Sequence, residues 1–322
     1  MDPIDLEYRH LLALSAKLPL AWGAQLSRLR GLWLARTDRD WRSLALGRPY
    51  VYDKTHQALE QILAQRTKRM RETWTNADDG DKTEDGSGAA KSITTERFIF
   101  AAFEEWQAAL IQANKLDGLT FDGETTHAML PKHAVFATMH VDSPMLGLVQ
   151  LGRWGRPLCA LSSNVFEDQR VHPSIQDFFR AKYRAMSLHW HGGRCMHKES
   201  ELSQFLRAGS DGFSLAVFCD VPGTRNKDGG DKGVWVNFLG ERRLVAPAVF
   251  RIAQRLSLPI VAMCCERVSD SRYQVHFSDP IPCDDIEAAC EPLYAFWTDK
   301  IFSKPQSWWA SDLLLDFPID RS

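Results

Sequence analysis

The sequence predicts an α/β fold with a single central, mostly buried sheet that is flanked by helices and preceded by an N-terminal helical segment. Two observations predict this class. From about residue 134 onward, short apolar runs alternate with segments of helical spacing, a pattern typical of a sheet covered by helices. Before that point the apolar residues recur at helical spacing alone. With 322 residues, 44% of them hydrophobic, the chain can bury a large core.

The chain divides into three predicted segments. Residues 1–72 are expected to form an N-terminal helical segment, which ends in a charged stretch. Residues 73–95 include a polar, glycine-rich run without large apolar side chains, which predicts a flexible loop. Helical spacing resumes at residue 96, and residues 96–322 are expected to form the α/β domain.

The N-terminal segment is apolar in character, but its longest uncharged stretch, residues 18–27, is ten residues long. A helix that spans a bilayer needs about 20 apolar residues, so no span is predicted. Four apolar residues share one face of the predicted helix: Leu26, Leu29, Trp33 and Leu34. Such a helix either packs on the domain or lies at a membrane surface, and packing is favoured because amphipathic helices mostly face a core.

Charge and cysteine content limit the partners and cofactors. The net charge of −2 argues against a nucleic-acid partner, which normally selects a basic surface. The seven cysteines form no CxxC pair, so neither a metal site nor a disulfide framework is predicted. We expect buried thiols in a reducing cytoplasm, in a protein that is free or peripheral to the inner membrane.

Polar residues follow three of the predicted strands. The runs at 134–139, 158–161 and 213–219 lead respectively to His140, Asn164 and Asp220. In parallel sheets, ligand-binding groups gather on the loops at the carboxyl ends of strands. The sequence therefore predicts a site built around these three residues. Further strands are expected at 259–265 and 273–277, and helices at 174–186 and 246–256.

Seven segments, taken in order, share the pattern of one enzyme family. They are the leading helix at 18–31, Ala-Thr-Met-His at 137–140, the helix at 172–184, the helix, glycine, strand and Asp at 202–223, Val-Trp-Val-Asn-Phe-Leu-Gly at 234–240, the helix and strand at 251–261, and Pro-Gln-Ser-Trp at 305–308. The chain resembles the lipid A late acyltransferases (lauroyl and myristoyl transferases) of the lysophospholipid acyltransferase superfamily, and their relatives the phosphatidylinositol mannoside acyltransferases. The resemblance covers most of the chain outside residues 73–95.

This resemblance implies a glycerolipid acyltransferase-like fold and transfer of an acyl group from an acyl-carrier protein or coenzyme A thioester to a hydroxyl or amine. The family signature is a histidine, four residues and then an acidic residue. His140 is implied as the base that takes the proton of the acceptor, and the acid orients its imidazole. No metal or organic cofactor is implied, because the thioester co-substrate is already activated.

The sequence departs from the signature at Met145, which stands where the family has its acid. A thioether cannot balance the charge of an imidazolium. Three explanations remain open. Asp142 serves from a rearranged loop, or Asp220 reaches across from another strand end. In the third, the dyad is lost, and the chain is a catalytically altered derivative that binds acyl chains or carriers or hydrolyses thioesters.

Asp142 has a structural interpretation as well. The run Asp142-Ser143-Pro144 before apolar residues predicts a helix start, with Ser143 or Asp142 as the cap and Pro144 as the first helical residue. In either case a helix N-terminus is expected beside His140, where its free N–H groups can stabilise a thioester oxyanion.

Four further residues are candidates for substrate binding. Asp-Val-Pro-Gly-Thr224-Arg225 resembles the block by which glycerol-phosphate acyltransferases hold their acceptor, so it predicts an anion site or a plain turn with solvated charges. Arg180 and Arg184 are four residues apart and share a helix face, which suits phosphate recognition or an ordinary charged surface. The hypothesis is a divergent soluble acyltransferase that acts on a lipid or on a carrier-bound specialised metabolite.

Overall fold

The structure, a computed structural model, describes residues 2–42, 51–73, 86–225 and 230–320. The strands in these residues are β1 Thr120–Asp122, β2 Val135–Thr138, β3 Leu158–Ser162, β4 Cys195–His197, β5 Ser214–Phe218, β6 Thr224–Arg225, β7 Asp231–Lys232, β8 Val234–Phe238, β9 Glu241–Val245, β10 Ile260–Arg267 and β11 Arg272–Phe277. Seven of these described strands form one sheet in the order β1-β11-β10-β2-β5-β3-β4. Its neighbours are parallel except for β10 and β11.

The helices of the described residues are α1 Pro3–Asp5, α2 Leu12–Lys17, α3 Leu20–Thr37, α4 Val51–Thr73, α5 Gly86–Gln112, α6 Glu124–Ala128, α7 Pro144–Arg153, α8 Pro173–Ser187, α9 Leu202–Ser210, α10 Ala248–Leu256 and α11 Ile286–Ser303. A π-helix, Leu6–Leu11, joins α1 to α2, and two 3₁₀ turns, Pro305–Ser307 and Ser311–Asp316, follow α11. The two hairpins β6-β7 and β8-β9 lie outside the main sheet.

Apolar side chains of the central strands alternate between two cores, one on each face of the sheet. Leu215 and Val217 of β5 belong to one core, whereas Ala216 between them belongs to the other. Strands buried on both faces in this way need helices on both sides. The predicted α/β class, with a mostly buried sheet and an N-terminal helical segment, is therefore confirmed. The strands and helices predicted from residue 134 onward are present with ends shifted by one or two residues.

The predicted loop at 73–95 is wrong over part of its length. Helix α4 ends at Thr73, and α5 begins at Gly86, ten residues before the predicted start at 96; residues 74–85 lie outside the described residues. Ala90 and Thr94 are both fully buried, and the Thr94 hydroxyl lies 3.1 Å from Nδ1 of His56 on α4. Packing of these small residues against a neighbouring helix stabilises the helical conformation, although the polar, glycine-rich composition favours a loop.

Helix α3 packs on α5, as the favoured interpretation of the N-terminal segment predicts. Glycines allow the close approach: a Cβ at Gly31 would lie 2.5 Å from the Ile99 Cα. The packed face also carries the buried Leu34, whereas Leu29 and Trp33 point to solvent. The predicted grouping of four apolar residues on one face is therefore wrong for Leu34. Within the described residues, no helix has both the length and the apolar composition needed to cross a bilayer.

A buried ion cluster ties the N-terminal helices to α5. The Arg30 guanidinium lies 2.6 Å from a Glu7 oxygen and 2.5 Å from a Glu105 oxygen, and the Tyr8 hydroxyl donates to Glu105 at 2.6 Å. The cluster thus contains two carboxylates and one guanidinium. Burial raises the pKa of Glu105 from 4.5 to about 7, and the positive charge of Arg30 only partly offsets this effect.

We expect the free energy of unfolding of the Glu105→Gln variant to depend less on pH than that of the wild type. A carboxyl whose pKa is raised by folding binds more protons in the native state. Its contribution is present below pH 4.5 and is lost as the pH rises to about 7, by up to about 3 kcal/mol. Melting temperatures measured between pH 4.5 and 8 should therefore fall less steeply in Glu105→Gln than in the wild type. The exposed control Glu167→Gln should keep the wild-type slope, and an equal slope in Glu105→Gln would contradict the assignment.

Candidate active site

The site forms where β2 and β5 end side by side. These strands are parallel neighbours, with Thr138 paired to Phe218 at their last residues. His140 and Asp220 each follow two residues later, so the equal spacing brings the two side chains to the same place at the carboxyl edge of the sheet. Strand register, rather than a sequence motif, creates this pair.

His140 and Asp220 form a close pair. The Nδ1 atom of His140 lies 3.0 Å from both carboxylate oxygens of Asp220. The backbone N–H of His140 also donates to Oδ2 of Asp220, at 2.9 Å. The two contacts fix the position of the imidazole and favour the tautomer with its proton on Nδ1. In that tautomer Nε2 carries a lone pair, and no group in the described part of the chain bonds to it.

Asp220 is held as a carboxylate. Its side chain is completely buried, and the indole N–H of Trp308 donates to its Oδ2 at 3.1 Å. Burial acts to raise the pKa of Asp220, but the charge of His140 and the hydrogen bonds from His140 and Trp308 outweigh it. The pKa of Asp220 therefore lies below its ordinary value. A buried, ionised and fully engaged carboxylate can stabilise an imidazolium on its partner.

Aromatic side chains hold the imidazole in place. Its ring stacks on Phe218 with the centroids 4.2 Å apart, and the Trp309 ring meets it edge-on at 4.6 Å. The backbone N–H of Trp309 also donates to the carbonyl of His140, at 3.0 Å. The side chain of His140 remains 28% exposed. The ring is therefore immobilised on one side while it still borders open space on the other.

Asp142 points to a different partner. It is buried, its carboxylate lies 2.9 Å from the Lys304 ammonium, and it accepts a hydrogen bond from the Ser143 hydroxyl. Burial raises the pKa of Asp142, although the Lys304 charge opposes this shift. No contact between Asp142 and His140 occurs in the described residues, so of the two carboxylates that the sequence offered, the structure brings Asp220 to His140.

The predicted helix start after His140 is present. Helix α7 begins at Pro144, with Ser143 in the capping position, but among the described residues no side chain bonds to its free N–H groups. Ser143 is therefore the N-cap residue, one of the two that the sequence predicted, but its hydroxyl donates to Asp142 and makes no capping hydrogen bond. The first turn of α7 consequently keeps N–H groups that no side chain of the described residues has satisfied.

A cavity of about 430 Å³ opens beside His140. Its lining is mostly apolar and aromatic, and comes from the ends of β2, β3 and β5 together with α8 and the C-terminal turns; it includes Leu161, Phe179, Tyr183, Val217, Phe218 and Trp309. Met145 also borders the cavity. The residue that replaces the acid of the family signature therefore adds apolar surface to the space next to the base.

One wall of the cavity is polar, and its residues were not among the candidates that the sequence predicted. Lys182 is buried there, with its ammonium 3.3 Å from a Glu104 oxygen and 4.4 Å from the Phe179 ring centroid. The hydroxyl of Ser162 borders the same cavity. A lysine three residues after Phe179 shares its helix face, and that spacing was the signal available in the sequence.

The other candidate residues lie away from the cavity. Arg180 and Arg184 are exposed, and Arg180 pairs with Asp177 at 2.6 Å. Helix α8 turns its Phe179 and Lys182 face inward, which places the two arginines on the opposite side. The two arginines therefore do not line this cavity, and their role in substrate binding stays a prediction.

The hairpin and strand-end candidates also lie outside the cavity lining. Thr224 and Arg225 are exposed on the hairpin β6-β7, where the Arg225 guanidinium lies 3.6 Å from Asp231. Asn164 donates its backbone N–H to Glu199 at 3.1 Å, while the residues on either side of it border the cavity. The chain after Asp220 carries Thr224 and Arg225 away from the cavity, and the anion site at these two residues stays a prediction.

Comparisons with known proteins do not place the chain in a family. No protein-family model matches the sequence, and no curated protein matches it significantly.

Proposed function

We propose that the protein is an acyltransferase that moves an acyl group from a carrier-protein or coenzyme A thioester to a hydroxyl or amine. The observation that carries this proposal is the His140–Asp220 pair at the mouth of a mostly apolar cavity. A base fixed by a buried carboxylate suits proton removal from a nucleophile, and the cavity suits an acyl chain. Its proposed relation to the lipid A late acyltransferases rests on the order of the seven sequence segments.

The proposed reaction uses the free nitrogen of His140. Nε2 accepts the proton from the acceptor hydroxyl or amine as that atom attacks the thioester carbon, forming a tetrahedral intermediate. Asp220 stabilises the resulting imidazolium through Nδ1–H. When the intermediate collapses, the carbon–sulfur bond breaks, and the departing thiolate takes the proton from Nε2. The products are an acylated acceptor and a free thiol, and the base returns to its starting state.

The first turn of α7 supports the same chemistry. Pro144 contributes no N–H, so the N–H groups of Met145 and Leu146 are the first ones offered by this helix. They follow His140 closely in sequence, and the helix dipole adds partial positive charge at this end. We propose that these groups hydrogen-bond the oxyanion of the intermediate, which carries the negative charge released from the thioester carbonyl.

We expect a bulkier side chain in the cavity to shorten the acyl chains that the protein accepts. Leu161 lies at the end of β3 and borders the cavity. Leu161→Trp should lower kcat/KM for acyl chains of twelve or more carbons by about 10-fold or more, because the indole occupies space that the chain needs. Acetyl and butyryl thioesters, as internal controls, should react at close to the wild-type rate. An equal loss for all chain lengths would contradict binding of the chain in this cavity.

The experiment for the proposal is thiol release from a panel of acyl-coenzyme A and acyl-carrier thioesters, with and without hydroxyl and amine acceptors. Release that requires an acceptor supports transfer. Release in water alone, with free acid as the product, would favour a thioester hydrolase. Binding of acyl thioesters without release would favour an acyl- or carrier-binding protein.

A further inference from the structure

An exposed apolar ridge runs along helix α3. Trp22, Leu26, Leu29 and Trp33 recur at spacings of four, three and four residues, which places them on one face of the helix. Trp22 is 71% exposed, Leu29 61% and Trp33 41%. Single exposed apolar residues are ordinary, but an aligned set with two tryptophans marks an interaction surface.

The ridge is not the face through which α3 packs on the rest of the protein. The opposite face of α3, which includes Gly23, Ala24, Ser27 and Gly31, packs against the body of the protein. Arg30 on that face is held by Glu7 and Glu105. The helix is thus anchored through small and charged residues, while its largest side chains face outward.

The charged side chains of α3 itself are all positive. The segment Leu20–Thr37 contains three arginines and no acidic residue. Arg28 and Arg36 are exposed, and the guanidinium of Arg39 lies 5.4 Å from the centroid of the Trp33 ring. An apolar ridge with tryptophans and adjacent arginines is the composition of a helix that lies in the headgroup region of an anionic membrane.

We propose that α3 docks the protein on the surface of a bilayer that contains anionic lipids. The ridge enters the boundary between headgroups and acyl chains, and Arg28 and Arg36 contact the negative headgroups. A bilayer fits better than a protein partner, because a single convex helix flanked by exposed arginines matches a broad negative surface. This inference does not depend on the proposed acyl transfer.

Flotation with lipid vesicles tests the proposal with the full-length protein. We expect binding to vesicles of phosphatidylcholine with phosphatidylglycerol, and at least 10-fold weaker binding to phosphatidylcholine alone. The variant Trp22→Ser/Leu29→Ser/Trp33→Ser should bind the anionic vesicles at least 10-fold more weakly than the wild type. Arg28→Gln and Arg36→Gln should each weaken binding by about five-fold and reduce its sensitivity to salt.

The matched control is Leu188→Ser, which removes an apolar side chain that is 82% exposed elsewhere on the protein. It should bind vesicles as the wild type does. The proposal is overturned if the wild type does not bind anionic vesicles, or if the ridge variant binds them equally well. It is also overturned if the ridge variant only converts a dimer to a monomer in gel filtration, because the ridge would then contact a second copy.

Discussion

Replacing His140 with alanine is expected to lower the rate of acceptor-dependent thiol release by about 10²–10⁴-fold, the usual contribution of a general base. The imidazole is the group beside the cavity whose Nε2 is free in the described residues, and its removal leaves the acceptor proton without a base. The loss should appear in kcat, because the apolar lining that holds the acyl chain is unchanged.

His10→Ala serves as a matched control, since His10 is exposed and distant in sequence from the cavity residues. This control should retain the wild-type rate. His140→Ala should also bind a non-hydrolysable acyl thioether analogue with close to wild-type affinity, which separates loss of chemistry from loss of folding. A His140→Ala rate within about three-fold of the wild type would remove His140 from the reaction.

Asp220→Asn is expected to lower the same rate by about 10³–10⁴-fold. The equivalent replacement in the serine protease triad costs about 10⁴-fold, because the amide favours the wrong imidazole tautomer. Here the side-chain NH₂ would face Nδ1 of His140 and move the ring proton to Nε2, where the acceptor proton must be received. The other hydrogen bonds to Asp220, from the His140 backbone N–H and the Trp308 indole N–H, fix the orientation of its carboxylate.

Asp142→Asn distinguishes the two carboxylates that the sequence offered. Asp142 bonds to Lys304 and Ser143 rather than to the imidazole. Its replacement should lower the melting temperature, because it breaks the ion pair of a buried carboxylate, while the rate stays within about 10-fold of the wild type. A large rate loss in Asp142→Asn together with a small one in Asp220→Asn would assign the partner of His140 to Asp142.

The sequence predicted the ends of the strands well, but it could not choose between Asp142 and Asp220. Hydrophobic runs mark the strands, and polar residues after them mark the edge of the sheet. Which strands are neighbours depends on topology: β3 lies between β2 and β5 in the chain, yet it pairs with the far side of β5. The contact of His140 with Asp220 follows from that crossover, which no local pattern encodes.

The substrate-binding residues were harder to predict, because their orientation depends on packing. Arg180 and Arg184 share a helix face in the sequence, but only the fold shows that Phe179 and Lys182 face the cavity. Lys182 was overlooked because a lone lysine on a helix usually faces solvent. Its burial depends on Glu104 of α5, which lies 78 residues away in the chain.

The most direct test of the central claim is a mass balance on one reaction. Thiol release and acylated acceptor are measured together for the wild type and for His140→Ala. The account predicts one acylated acceptor for each thiol released by the wild type, and loss of both products in His140→Ala. Free acid in place of acylated acceptor, or thiol release that His140→Ala retains, would contradict acyl transfer by the His140–Asp220 pair.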